Sequence, residues 1–396
     1  MEFHFVVAND NGNSEHKIMI NGILHKQPNV YSIIHSDQGQ SDEPLDVLIA
    51  NIHKNIDVRI ESKVLSGTYR YLIGHAAIER NQAQIYNMNI QNIKKHTEDL
   101  PVINTLGTIA IEAVKKAYDE KKTLTNGEVI KVTADMTTAL PASIHNVESE
   151  EYFKNRFLNH LHEVKVYIKD LTIIVQIEFS FVKVMKEGVP ALFSLIEDGN
   201  NNYRNDDIFE DFNKEYKNNV DGSYFLNKRI LHCDIGDGST ELVYTTGYSA
   251  DPLKSAGEKI GLGQAIENAG VNLSKELNLD ISRQKISEYL KNPNHKFHQL
   301  ALKHIYQPKQ EIARKIFNAI ENRLQTLAFE VDVLMVYGGA SILLKDVLYD
   351  TLKNYCDKYG IELLWIPSKY AVEMNVNGMQ IYNTIRMADL QMSNEG

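Results

Sequence analysis

Short apolar runs of strand length recur along the first third of this chain, at Phe3–Ala8, Lys17–Ile20, Asp57–Ile60, Tyr69–Gly74 and Val129–Ala134. Val164–Ile168 alternates apolar and polar residues, the period-two mark of a half-buried strand, and opens a strand pair over Glu163–Met185. Between Leu100 and Lys121 the rhythm changes. Ile103, Leu106, Ala110, Ile111, Val114 and Ala117 recur at helical spacing. A helix carrying Phe153, Phe157, Leu158 and Leu161 is predicted next, and a short one after Pro190. The second half predicts strands at Ile230–Cys233 and Glu241–Tyr244. Helices follow at Glu258–Leu277, Ser282–Leu290 and Pro308–Phe329, then a buried strand at Val333–Tyr337. A helix at Ser341–Tyr359, a strand at Glu362–Trp365 and a last helix near Gly378–Leu390 complete the chain. Two stretches lack periodicity: Gln27 to about Pro44, and the Asn-, Asp- and Glu-rich Glu197–Asn219, which reads as a surface insertion.

Two of the predicted strand–turn–strand units share a chemistry. The first turn is Ala8-Asn9-Asp10-Asn11-Gly12-Asn13, with Lys17 just beyond. The second is Asp234-Ile235-Gly236-Asp237-Gly238-Ser239-Thr240. Backbone N–H groups at such turns face anions, and an Asp at the hairpin mouth can hold the water shell of Mg²⁺. Asn, Asp and Gly also favour ordinary turns, so the first alone says little. The second places two carboxylates together, an unfavourable arrangement without a cation or donors. Gly338-Gly339 ends the strand Val333–Tyr337 and leads into a helix through Ala340 and Ser341, where glycine lets backbone approach a ring or phosphate. Ser255–Gly263 is a glycine-spaced helix entry, too short for a dinucleotide fingerprint.

At 396 residues the chain suits two domains, and 43% hydrophobic with 24% charged residues supplies sizeable cores. A net charge of −10 argues against a broad cationic face for DNA backbone, while leaving a basic, DNA-bound partner possible. Two cysteines, Cys233 and Cys356, without metal-ligand spacing fit a reduced cytoplasm. The start shows neither a signal peptide nor an amphipathic anchor, and no stretch has the length of a membrane span. The fourteen histidines show no paired zinc spacing, and no P-loop or nucleophile elbow occurs.

The order of these motifs — acidic hairpin, Leu140-Pro141, second acidic hairpin, Gly-Gly after a strand, C-terminal helix — resembles the actin, chaperone and sugar-kinase ATPase superfamily from Asn9 to Ile385. Leu140-Pro141, Glu187–Phe193 and Asn375-Val376-Asn377-Gly378 are similar to the ParM-type bacterial actins, filament proteins that segregate plasmid or phage DNA. The resemblance implies an α/β, actin-like (ribonuclease H-like) fold of duplicated domains with a nucleotide cleft between them. Domain I would comprise 1–162 and 375–396, with a small inserted subdomain about 25–98. Domain II would comprise 163–374.

The same resemblance implies site roles. Asp10 and Asp234 would hold hydrated Mg²⁺. Asn11, Gly12, Asn13 and Lys17 would bind the β- and γ-phosphates of ATP or GTP. Gly236, Asp237, Gly238, Ser239 and Thr240 would cradle phosphate from the other side. Gly338, Gly339 and Ala340 would line the purine and α-phosphate, and Gly261, Gly263 and Arg283 would border base and ribose. Such actins place an acidic residue, and actin a Gln, after the connector to orient water. Here that position falls on Ile144, with His145 and Glu148 nearby, and Glu148 joins Asp10 and Asp234 as a catalytic candidate. The function implied is a cytoplasmic, bacterial nucleotidase whose dynamic filaments move DNA through a basic, ParR-like adaptor on centromere-like DNA, with no direct DNA or membrane contact. A small-molecule kinase of the same fold and a non-hydrolysing actin-like scaffold are the competing readings.

Overall fold

Ten strands hydrogen-bond into the first sheet: β1 (Glu2–Asn11), β2 (Glu15–Ile20), β3 (Ile23–Pro28), β4 (Val30–Ile34), β5 (Asp57–Glu61), β6 (Tyr69–Ile73), β7 (Ile85–Asn87), β8 (Val129–Leu140), β9 (His162–Ile168) and β10 (Leu171–Lys186). Their order is β3-β2-β1-β8-β10-β9-β5-β6-β4-β7. The computed structural model describes residues 1–35, 42–80, 84–88 and 94–394, with side chains to residue 386 in the last helix. The described residues form two units. The first is Met1–Leu140, Ile144–Lys186 and the segment from Asn375, and the second is Pro141–Ser143 and Glu187–Met374.

In the first unit β1, β2 and β3 form an antiparallel meander, and β1, β8 and β10 run parallel. The helix Asp99–Lys121 supplies the crossover from the meander side to β8. It is buried on nearly all sides from Leu100 to Val114, which explains why its polar face is so narrow. Gly107 lets it approach closely, because a Cβ there would overlap the Ile73 side chain. The last helix, Met374–Asn394, returns to this unit. The Asn383 amide donates to the Val7 carbonyl at 3.0 Å, and its oxygen accepts from Thr137 Oγ1 at 2.5 Å.

The second unit holds β11 (Arg229–Ile235), β12 (Thr240–Thr246), β13 (Ser249–Glu258), β14 (Val333–Tyr337) and β15 (Glu362–Trp365), in the order β13-β12-β11-β14-β15. That is the order and direction of β3-β2-β1-β8-β10: an antiparallel meander followed by two parallel strands. Both faces of this sheet are covered, so β14 reads as a continuous apolar run. Val333, Met335 and Tyr337 pack with Leu192, Leu195, Phe209 and Phe225, while Leu334 and Val336 pack with Ile266, Ile316 and Leu344 from the other face.

Several expectations change. The expected division at 162/163 falls inside β9, after its first residue, and the strand pair β9–β10 belongs to the first unit because β10 pairs along the length of β8. The inserted segment does not form its own sheet; β5 pairs with β9, and β6, β4 and β7 extend the same sheet. β4 occupies part of the stretch read as irregular, of which residues 36–41 lie outside the described residues. Within Glu197–Asn219, a 3₁₀ turn at Asp207–Phe209 and a helix at Glu210–Tyr216 bury Ile208, Phe209 and Phe212, so a mostly exposed stretch is anchored in the core by three apolar residues. The helix expected over Phe153–Leu161 lies at Val147–Asn155, started by a capping box between Asn146 and Ser149. The helix expected from Pro308 begins at His298, because the stripe Ala301, Ile305, Ile312, Ile316 and Ile320 runs through the proline. The helix expected from Glu258 begins at Leu262, since β13 occupies the preceding residues.

Candidate functional site: two acidic hairpins

Asp10 and Lys17 are cross-strand partners in the β1–β2 hairpin. Both are buried, and Lys17 Nζ lies 3.1 Å from Asp10 Oδ2. Beneath them runs a buried polar network. Asn9 Nδ2 donates to Thr105 Oγ1 at 2.9 Å, and Asn9 Oδ1 lies 2.8 Å from His16 Nε2 and 3.1 Å from Asn11 Nδ2. Gln27 Nε2 lies 3.3 Å from His16 Nδ1 and donates to Thr108 Oγ1 at 3.0 Å. Since Asn9 Oδ1 accepts and Gln27 Nε2 donates, the His16 proton belongs on Nε2. Burial pushes this imidazole down to about 3, so it is neutral.

Asn29 braces the loop between these strands. Its Nδ2 donates to the Gly12 carbonyl at 2.6 Å, its N–H to the Ser14 carbonyl at 2.9 Å, and its Oδ1 accepts from Asn104 Nδ2 at 2.7 Å. With the carbonyls held from behind, the N–H groups of Gly12, Asn13 and Ser14 have no acceptor among the described residues. Asn11 Oδ1 is buried without a hydrogen-bond partner. Donor N–H groups suit phosphate oxygens, and an orphaned acceptor beside a carboxylate suits the water of a hydrated cation.

The β11–β12 hairpin repeats the plan with different parts. The loop closes through Gly236 N–H to the Ser239 carbonyl at 2.9 Å. The first N–H groups of the helix Leu262–Leu277 hold the loop carbonyls: Leu262 to Gly236 at 3.3 Å and Gly263 to Asp237 at 2.7 Å. Asp237, Gly238 and Ser239 N–H groups again have no acceptor among the described residues. A Cβ at Gly261 or Gly263 would overlap the Asp237 carbonyl or the Arg283 guanidinium, which explains the glycine spacing. Thr240 Oγ1 donates to the Ile260 carbonyl at 2.7 Å. The Asp237 carboxylate pairs with Arg283, which also reaches Glu267 Oε1 at 3.0 Å. Arg283 therefore tethers the loop here, and the Asp237 group left without a partner is its backbone N–H, not its carboxylate.

Gly338 has φ +93°, and a Cβ there would overlap Asp234 Oδ1. The strand end at Tyr337 and the helix Gly339–Lys358 thereby meet the acidic loop. Ser341 Oγ donates to the Gly338 carbonyl at 2.8 Å, Ala340 is buried, and a Cβ at Gly339 would point into open space.

Sequence reasoning missed Glu241 as a site residue. It pairs with Asp234 across the hairpin and is 2% exposed. Neither carboxyl oxygen has a partner at full hydrogen-bonding geometry, although the Ser239 hydroxyl and the Ser143 N–H approach it and favour the ionised form, and a Cβ on Gly257 would press against Oε2 and Ser143. Burial, then Glu187 and Asp234, push its carboxyl up to about 8, so it is largely protonated at neutral pH. The signal was the loop length: with four residues, 236–239, between strands, position 241 must face 234. Two carboxylates facing each other, one buried, form a donor set that a cation would relieve.

The connector behaves otherwise than expected. Ile144 packs on the first unit's core. His145 lies 3.4 Å from Glu150, and burial lowers its pKa. Glu148 is exposed in the first turn of Val147–Asn155 and exerts its charge on His96.

No protein-family model matches the sequence, and no curated protein matches it. Solved structures do. The crystal structure of the actin-like protein Alp7A matches with a TM-score of 0.74 at 16% identity, covering 100% of this chain and 99% of that one. Bacillus thuringiensis ParM with AMPPNP matches with a TM-score of 0.63 at 12% identity, over 97% of this chain and 99% of that one. Ta0583, an archaeal actin homolog, matches with a TM-score of 0.61 at 14% identity, over 95% and 98%. With two sheets of repeated topology and matches along its whole length, the chain has the actin-like fold.

Proposed function

We propose that the chain is an actin-like nucleotidase that binds ATP or GTP with Mg²⁺ and polymerises in the bound state. The carrying observation is the repetition of an acidic, donor-lined loop at equivalent places in two sheets of one topology. The likeness to Alp7A and ParM, the latter solved with ATP, ADP and AMPPNP, supports this reading. Asp10 and Asp234 are the proposed holders of hydrated Mg²⁺, which would neutralise phosphate charge. Asn11, Gly12, Asn13 and Lys17 from the first unit, and Gly236–Thr240 with Gly338–Ala340 from the second, would hold the phosphates and base. Filaments that segregate plasmid or phage DNA through a basic adaptor are the proposed work. Among the described residues no helix is long and apolar enough to cross a membrane.

A non-hydrolysing scaffold is the second reading, favoured by the exposed Glu148 and by Ile144 at the connector position. Light scattering and phosphate release, followed together after adding Mg·ATP or Mg·GTP to wild type and Asp234→Ala, separate these readings. Scattering that rises above a critical concentration and decays with phosphate release supports the dynamic filament. Stable scattering without release supports the scaffold, and neither signal with either nucleotide sinks the proposal.

A further inference from the structure

Away from both acidic loops, three residues distant in sequence converge in the first unit. His25 lies on β3, His53 in the 3₁₀ turn Ile52–Lys54 and Glu112 on the helix Asp99–Lys121. The two imidazoles stack with centroids 4.0 Å apart and planes 19° apart. His53 Nε2 lies 2.9 Å and His25 Nε2 3.4 Å from the same oxygen, Glu112 Oε2. One donor atom from each residue lies within 4.8 Å of the other two. All three side chains are mostly covered, at 15%, 24% and 11% exposure. His25 Nε2 and His53 Nδ1 are buried without hydrogen-bond partners.

We propose that His25, His53 and Glu112 bind one divalent metal ion of the zinc class. Two imidazole nitrogens and one carboxylate oxygen form a set that suits Zn²⁺ or Co²⁺ rather than Mg²⁺ or Ca²⁺, which prefer oxygen. Around a tetrahedral zinc with bonds of about 2.0–2.1 Å, donor atoms stand roughly 3.4 Å apart, close to the two nitrogen–oxygen separations here, 2.9 and 3.4 Å. The fourth position goes to water. The nearby cation, Lys115, is engaged by Asp119 at 3.2 Å. Bound metal would clip the outer strand of the β1–β2–β3 meander to the helix that covers it, and so would stiffen the sheet carrying the first acidic loop.

Cobalt titration of the full chain tests this. One equivalent of Co²⁺ should give an intense tetrahedral visible band that Zn²⁺ displaces and a chelator abolishes. Zn²⁺ should also raise the thermal midpoint by several degrees. Glu112→Gln and His53→Ala, each checked by circular dichroism for native fold, should weaken binding at least tenfold. A weak octahedral spectrum in wild type overturns the site whatever the variants do. So does a tetrahedral band that persists in folded Glu112→Gln and His53→Ala.

Discussion

Gly338 leaves bare the space that the Asp234 carboxylate fills: at φ +93°, a Cβ on residue 338 would overlap Asp234 Oδ1. Gly338→Ala is therefore strained twice, by backbone and by contact, and should destabilise the protein by more than about 1 kcal/mol. It should also abolish binding of a fluorescent ATP analogue. Gly339→Ala is the control, because nothing stands within 4 Å of its Cβ, and it should fold as wild type does. Urea midpoints and analogue titrations read both. Gly338→Ala that keeps wild-type stability and binds the analogue as wild type does would remove Gly338 from the site.

Asn29 makes three hydrogen bonds that shape the first loop. Asn29→Ala leaves the Gly12 carbonyl and the Asn104 amide without their partner. The expected cost is on the order of 1–3 kcal/mol in urea unfolding. Nucleotide affinity should fall with it. A variant of unchanged stability would mean that water replaces the side chain.

Two buried histidines set an acid limit. Burial pushes His16 and His232 each down to about 3, against 6.5 for an exposed ring. Between those values the unfolded chain binds the protons and the folded chain does not. Stability is therefore full above pH 6.5 and falls as pH drops toward 3, by up to roughly 1.4 kcal/mol per pH unit per histidine. Because Glu241 titrates with the opposite sign over the same range, the loss is read by urea unfolding of Glu241→Gln at pH 7.5 and 5, and adding His232→Gln should shrink it. A flat profile in Glu241→Gln would show that these rings are not held neutral.

Glu241 acts in the opposite sense. Its folded value near 8 lies above the unfolded one of 4.5, so the protonated carboxyl is favoured in the fold. Stability from this residue is lost as pH rises from 4.5 through 8. Glu241→Gln mimics the neutral acid and should stabilise the apo chain at pH 8 by up to about 4 kcal/mol, with little gain at pH 4.5. A gain of equal size at both values would point to packing instead of charge.

The acidic turns were legible because carboxylates and glycines crowd into a few residues after an apolar run. What stayed hidden depended on pairing or on sparse apolar marks. β13 is half exposed and carries Pro252, which suits the end position it holds in its sheet but breaks a strand pattern. Ile208, Phe209 and Phe212 are the apolar minority of an Asn- and Asp-rich stretch, yet all three are buried. Glu241 gains meaning only through its register opposite Asp234, and His25, His53 and Glu112 only through the fold.

The two loops are supported in unlike ways. Side chains, those of Asn29 and Asn104, hold the first; main-chain N–H groups of residues 262 and 263 hold the second. Under random substitution the halves should thus drift apart in kind. The first loop is vulnerable at a few amides remote in the chain, whereas the second is vulnerable chiefly at its glycines and at the Asp237–Arg283 pair. A family alignment read for tolerance would show the asymmetry as scattered fixed asparagines on one side and a compact glycine cluster on the other.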